Sequence, residues 1–141
     1  MIAYIDSSVL LRMVLRQRDS LLEWDELTVG ITSDLTRVEC SRTLYRLRMA
    51  RTLTIADHAR SAFEVDAILR NLDTFAITPE ILDAASGAFA VVVKTLDALH
   101  LATAVQYRSE QPPDASPLRF ATHDVKLARA AESLGFRVLG A

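Results

Sequence analysis

Four carboxylates occupy positions in this sequence from which they could act on one substrate. The segment KTLDALHLATA, from Lys94 to Ala104, has the apolar spacing of a helix, yet it carries Asp97 in its first turn. Asp6 ends the apolar run AYI, Asp124 follows the run FAT and one further residue, and Glu39 lies in a helical segment after the run VGIT. Carboxylates gathered in one cleft raise one another's pKa, and a bound divalent cation removes this repulsion.

Oxygen ligands without a matching set of His or Cys favour Mg²⁺ or Mn²⁺ over zinc. Such an ion lowers the pKa of a bound water and polarises a phosphoryl oxygen, which is the chemistry of phosphodiester hydrolysis. We predict Asp6 and Asp97 as the leading metal ligands and Asp124 as a ligand directly or through water. Glu39 either binds the metal or orients the attacking water.

Each acid also has a simpler explanation. Aspartate is among the best helix N-caps, and its charge suits the positive end of the helix dipole, so Asp6, Asp97 and Asp124 could be caps alone. Glu39 could be a surface residue whose neighbour on the helix is Arg42. The sequence leaves both interpretations open, although caps that share one sheet edge would bring negative charges together.

Alternating apolar and amphipathic segments predict the elements that position these acids. The predicted strands are Ile2–Ile5, Val29–Thr32, Phe75–Thr78, Leu118–Thr122 and Phe136–Leu139. The predicted helices run from Asp6 to about Arg16, Ser20 to Leu27, Ser33 or Asp34 to about Met49, Thr54 to about Leu72, Pro79 onward, Lys94 to about Arg108, and Asp124 to Gly135. This order is typical of an α/β fold with a parallel sheet and helices on both faces.

Ligands of such sheets bind beyond the carboxyl ends of the strands, where the strand order reverses. Asp6 and Asp124 both fall at that edge. The hydroxyls of Ser7 and Thr122 lie beside them in sequence, and we predict that these two side chains fix the acids or their waters.

Composition favours an intracellular protein of one domain. The chain has 141 residues, half of them hydrophobic, which suits a single domain with its own core. The lone Cys40 excludes an internal disulfide and zinc-type spacing, and we predict that it is a small buried side chain. The N-terminal segment lacks the pattern of a signal peptide, and no apolar run approaches the length of a membrane span. We expect a cytoplasmic protein without membrane contact.

Charge does not exclude a nucleic-acid substrate. Sixteen basic side chains face eighteen acidic ones, and without the four candidate acids the remainder carries a net charge of +2. Five arginines lie between positions 37 and 51. Arg42 and Arg46 share a helix face with Glu39, so we predict that they contact RNA phosphates, although a solvated helix face gives the same pattern.

Four segments in this order resemble the PIN-domain ribonucleases, and within them the VapC toxins of toxin–antitoxin pairs. The segments are IDSSVLL, TSDLTRVECSRTL, KTLDALHLATA and FATHDVKLARAAESLGF. The resemblance implies one PIN domain over residues 1–141, a three-layer α/β/α sandwich with a short, mostly parallel sheet. It also implies a Mg²⁺- or Mn²⁺-dependent endoribonuclease with the acidic quartet Asp6, Glu39, Asp97 and Asp124. A homodimer and a VapB-type antitoxin that blocks the cleft follow from the same resemblance.

Two features depart from that family pattern. Lys94 stands where many members carry arginine, and a proline-rich insert, SEQPPDASP, precedes the fourth strand. His100 is predicted to pack its helix or support the site rather than bind metal. Two other functions remain open, namely a non-cleaving PIN-like module that binds RNA or protein, and a phosphatase or DNA-directed nuclease with the same acidic cleft.

Overall fold

A computed structural model, which describes residues 1–141, places a five-stranded parallel sheet between two layers of helices. The strands are β1 (Ile2–Ile5), β2 (Val29–Ser33), β3 (Asp73–Phe75), β4 (Arg119–Ala121) and β5 (Arg137–Leu139). The helices are α1 (Ser7–Val14), α2 (Leu35–Met49), α3 (Ile55–Leu69), α4 (Pro79–Ala85), α5 (Thr95–Glu110) and α6 (Val125–Ser133). The strand order is β3-β2-β1-β4-β5, and every pairing is parallel. The predicted α/β/α architecture is therefore confirmed.

Alternating residues of β1 divide the core into two parts, because successive strand side chains point to opposite faces of the sheet. Ile5 belongs to a cluster with Leu10 of α1 and Leu44 of α2. Tyr4 belongs to a second cluster on the other face, with side chains of α5, β4 and α6 that include Leu101, Phe120 and Leu127. The central strand is thus covered on both sides.

The strand order reverses at β1. The chain continues from β1 to β2 and β3 on one side, and later adds β4 and β5 on the other. The backbone N–H of Asp6 donates to the carbonyl oxygen of Ala121 at 3.0 Å, which joins the carboxyl ends of β1 and β4. Asp6 and Thr122 consequently lie at the edge where open parallel sheets bind their ligands.

The prediction of a third strand at Phe75–Thr78 is wrong except at Phe75. This edge strand pairs only with β2, and its register runs from Ile31↔Asp73 to Ser33↔Phe75, where β2 itself ends. Thr78 instead caps α4, because its side chain accepts the backbone N–H of Ile81 at 3.3 Å.

Several other elements are also shorter than predicted, among them three helical segments. Helix α1 ends at Val14, and Arg16 beyond it has a positive φ of 55°. Helix α3 ends at Leu69, and i→i−3 turn bonds follow it. The predicted helix from Ser20 to Leu27 is only a 3₁₀ helix at Leu22–Glu26. None of the helices has both the length and the apolar composition that crossing a bilayer requires.

Cys40 is fully buried, as the sequence predicts. Its thiol lies 3.9 Å from the carbonyl oxygen of Ser7, in the cluster that contains Leu10 and Leu44. Burial, followed by the negative charges of Glu39 and Asp6, raises the pKa of this thiol to about 12. The side chain acts as a small core residue and carries no nucleophilic chemistry at neutral pH.

We expect the native protein to resist thiol reagents. At pH 8 the thiolate fraction of Cys40 is negligible and the sulfur is shielded, so labelling with a chromogenic disulfide should be slow in native buffer. It should be fast and reach one equivalent in guanidinium chloride, which provides the control. Rapid labelling of one equivalent in native buffer, with an unchanged circular dichroism spectrum, would contradict the buried position.

Candidate active site

The carboxylate of Asp6 is buried at the end of β1, with only 4% of the residue exposed. Its Oδ2 atom accepts the backbone N–H of Ser8 at 3.2 Å, the Ser8 hydroxyl at 2.6 Å and the Thr122 hydroxyl at 3.0 Å. Oδ1 has one hydrogen-bond partner, the Ser7 hydroxyl at a long 3.4 Å, and lies 3.8 Å from Nε2 of His100. Asp6 therefore caps α1 with one oxygen and leaves the other available to a ligand.

Asp124 repeats this arrangement at the start of α6. Its Oδ1 accepts the backbone N–H groups of Lys126 at 2.8 Å and Leu127 at 3.1 Å. Its own N–H donates to the Thr122 hydroxyl oxygen at 3.0 Å. Thr122 thus connects the two aspartates, since its hydroxyl donates to Asp6.

Asp97 is not a helix cap, so the capping explanation for this residue is wrong. Helix α5 begins at Thr95, with Lys94 at the N-cap position and no side-chain capping bond. Asp97 is the third residue of the helix, and its carboxylate forms no hydrogen bond within the chain. This half-buried carboxylate is free for another partner.

A chain of buried hydrogen bonds fixes Glu39. The Tyr4 hydroxyl lies 2.7 Å from Nδ1 of His100, and Nε2 of the same ring lies 2.5 Å from Oε1 of Glu39. The carboxylate can only accept, so Nε2 carries the proton. Burial lowers the pKa of His100, but the hydrogen bond to Glu39 and the charges of Asp6 and Glu39 outweigh it and raise the pKa overall. Both ring nitrogens are engaged, which fits the predicted supporting role of His100.

The structure brings the acids together in two adjoining groups. Ligand atoms of Asp6, Glu39 and His100 all lie within 4.8 Å of one another, a grouping able to hold a cation. Asp97 and Asp124 lie outside that group and line a neighbouring cavity of about 160 Å³. Lys94 and Lys126 line the same cavity, together with Val92 and Val93.

The negative charges of the two groups act on one another, as the pKa of Asp97 shows. Burial raises the pKa of Asp97 first, followed by the negative charges of Asp124 and Asp6. The pKa of this carboxyl is therefore raised by its burial and by two further acids that lie in the same region. A divalent cation would relieve that repulsion.

The two arginines predicted to contact phosphate lie at different distances from the acids. Arg42 lines a cleft of about 420 Å³ with Ser7 and Glu39. Arg46 lies one turn further along α2, in a second groove that also includes Arg42.

Sequence reasoning missed Ser8 and Tyr4. Ser8 contributes two of the three donors to Oδ2 of Asp6 and also accepts the backbone N–H of His123 at 2.9 Å. Tyr4 holds His100 from two residues before Asp6, on the same face of β1. Strand periodicity could have suggested Tyr4, because residues i and i+2 share a face.

The chain matches one known protein family over most of its length. The family model for the PIN domain matches residues 3–133, which is nearly the whole chain. The chain therefore belongs to the PIN-domain family.

Two curated relatives show which members of the PIN-domain family this chain is similar to. Ribonuclease VapC46 of Mycobacterium tuberculosis is 31% identical over 137 residues, covering 96% of this chain and 95% of the relative. Ribonuclease VapC35 of Mycobacterium tuberculosis (strain H37Rv) is 32% identical over 141 residues, covering 96% and 94%. Over most of its length the chain is similar to VapC ribonucleases.

Solved structures share the fold at lower identity. A toxin–antitoxin complex from Klebsiella pneumoniae contains a chain with a TM-score of 0.64 and 16% identity, covering 93% of both chains. A chain of VapBC2 from Rickettsia felis, bound to a DNA fragment from its promoter, has a TM-score of 0.66 and 11% identity, covering 98% and 97%.

We expect the pKa of Asp97 in metal-free protein to fall toward its ordinary 3.8 in the variant Asp124→Asn, because a neighbouring negative charge is removed while burial remains. A pH titration of the carboxyl ¹³C resonance in EDTA would measure it, with the exposed Glu132→Gln as the control. The raised pKa also means that this carboxyl favours the folded state below 3.8, and that contribution is lost as the pH rises through the folded-state value. An unchanged pKa in Asp124→Asn would contradict the coupling.

Proposed function

We propose that this protein is a metal-dependent endoribonuclease, the toxin of a toxin–antitoxin pair, which acts as a single PIN domain. The observation that carries the proposal is the pair of open carboxylate oxygens at the sheet edge. Asp6 and Asp124 each satisfy backbone donors with one oxygen, and the second oxygen remains beside further acids. A structural cap needs no such neighbours. The similarity to VapC ribonucleases supports RNA as the substrate.

The donor set fits Mg²⁺ or Mn²⁺. Carboxylate oxygens predominate, and the one histidine nearby uses both ring nitrogens within the protein. Asp6, Asp97 and Asp124 would hold the ion. When bound, the ion supplies a water of lowered pKa and polarises the scissile phosphoryl oxygen.

The protein's own side chains set the geometry of the reaction. Ser8 and Thr122 fix the Asp6 carboxylate, so its free oxygen does not have to reorganise when substrate arrives. His100 holds one oxygen of Glu39, and the second oxygen accepts a hydrogen bond from the attacking water. Arg42, in the cleft beside Glu39, binds the RNA phosphate next to the cleavage site, and Arg46 binds a further one.

The partners follow from the relatives. Structural neighbours occur in toxin–antitoxin complexes, which supports a VapB-type antitoxin that blocks the acidic cleft. We also propose a homodimer, and a cytoplasmic location where RNA and antitoxin are both available.

We expect purified protein to cut total RNA with Mg²⁺ or Mn²⁺ and to lose activity in EDTA. Asp6→Asn and Asp97→Asn should each reduce the rate by at least about 100-fold, the scale of removing one electrostatic stabiliser from an active site. Asparagine keeps the capping ability of Asp6, so these variants should fold, which circular dichroism would check. Glu132→Gln is the matched control.

The products give a second criterion. Attack by a metal-activated water leaves a 5′-phosphate and a 3′-hydroxyl, which end-labelling would identify. A cyclic 2′,3′-phosphate would instead indicate attack by the RNA's own 2′-hydroxyl and overturn this mechanism. If both aspartate variants cut RNA at the parent rate, the acids have a structural role only.

Metal binding should also stabilise the fold without any substrate. An ion that binds only the native state adds about 2.7 kcal/mol at 100 times its Kd. We expect a thermal melt to shift upward with Mn²⁺ in the parent and in Glu132→Gln, and to shift much less in Asp6→Asn. Equal shifts in all three proteins would place the ion elsewhere.

A further inference from the structure

The outward face of α2 forms a groove that the acidic site does not include. Five residues line it: Arg42, Thr43, Tyr45, Arg46 and Met49. The groove has a volume of about 460 Å³. Tyr45 is 51% exposed and Met49 is 64% exposed, so two large apolar side chains face solvent between arginines.

The arginines of this groove are not neutralised within the chain. Arg37, earlier on the same helix, forms an ion pair with Asp66 of α3. Arg42 and Arg46 form no ion pair and no hydrogen bond within the chain, and the Tyr45 hydroxyl is also without a partner. The surface therefore presents two uncompensated positive charges and one aromatic ring.

The groove is continuous with the acidic site. Arg42 and Thr43 line both the groove and the cleft that contains Glu39. Glu39, Arg42 and Arg46 are spaced i, i+3 and i+7, which places them along one side of the helix. From Glu39 to Met49 the helix rises about 15 Å, at 1.5 Å per residue. A chain lying in the groove would thus extend outward from the cleavage centre.

We propose that this groove binds a single-stranded segment of the RNA substrate, with one base stacked on Tyr45 and the adjacent phosphates on Arg42 and Arg46. This inference rests on the proposed ribonuclease function and specifies which form of RNA the site accepts. An aromatic face flanked by guanidinium groups matches a base and its phosphates in charge and in shape. Bases of a duplex are stacked on one another, so only an unpaired base can stack on the Tyr45 ring.

Direct binding tests the proposal independently of cleavage. The probe is a fluorescein-labelled pool of 12-nucleotide single-stranded RNA, titrated with the inactive variant Asp97→Asn in Mg²⁺. In that background Tyr45→Ala should weaken binding by about 5- to 150-fold, the range of one base–aromatic stack. Tyr45→Phe keeps the ring and should bind like its parent. Phe63→Ala removes another exposed aromatic, outside the groove, and should have no effect.

Salt dependence tests the arginines. Arg42→Gln and Arg46→Gln should each reduce the slope of log K against log salt by about 0.7, the value for one phosphate contact on a single strand. A duplex of the same length should bind more weakly, and Tyr45→Ala should not change the affinity for it.

Three results would overturn the proposal. In the first, the Asp97→Asn protein does not bind the single-stranded pool. In the second, Tyr45→Ala binds that pool with the same affinity as its parent. In the third, Tyr45→Ala weakens binding of the duplex as much as binding of the single strand. A Tyr45→Ala protein that keeps RNA affinity but escapes inhibition by the antitoxin would assign the groove to a protein partner instead. Failure of the ribonuclease function would appear differently, as absent cleavage by the unmodified chain.

Discussion

The burial of one carboxylate, that of Asp6, is the constraint on which the site depends. A charged group in the interior is tolerated only when donors satisfy it. Ser8 and Thr122 provide these donors, and the same two hydroxyls accept the backbone N–H groups of His123 and Asp124. The loop after β4 is therefore positioned by the groups that solvate Asp6, and the place of Asp124 follows from it.

Helix α5 supplies the second half of the site by presenting two residues one turn apart. Asp97 adds a carboxylate without a hydrogen bond, while His100 reaches between Tyr4 and Glu39. Burial, followed by the negative charges of the neighbouring acids, opposes the ionisation of Asp97 and raises its pKa. The clusters on both faces of the sheet hold the elements in place despite this repulsion. Packing thus stabilises an arrangement that charge alone would disperse.

The topology and the caps were predictable because they depend on local patterns. Short apolar runs ending in aspartate located β1 and Asp6, and Asp124 does cap α6. The cap interpretation that the sequence left open for Asp97 is wrong, because Asp97 is the third residue of α5 and Lys94 occupies the N-cap position. The contacts of His100 could not be read from the chain, since its partners lie 96 and 61 residues away. Strand β3 was misplaced because the end of β2, not its own apolar pattern, limits an edge strand.

The hydrogen-bonded series Tyr4, His100 and Glu39 also limits how this sequence can drift over generations. Each member is engaged by the next, so replacing one leaves a buried polar group unpaired, at a cost of about 1–3 kcal/mol. These residues can therefore be replaced during evolution only if hydrogen-bonded neighbours change at nearly the same time. The three positions are therefore inherited as one unit, although they come from a strand and two helices that are distant along the gene.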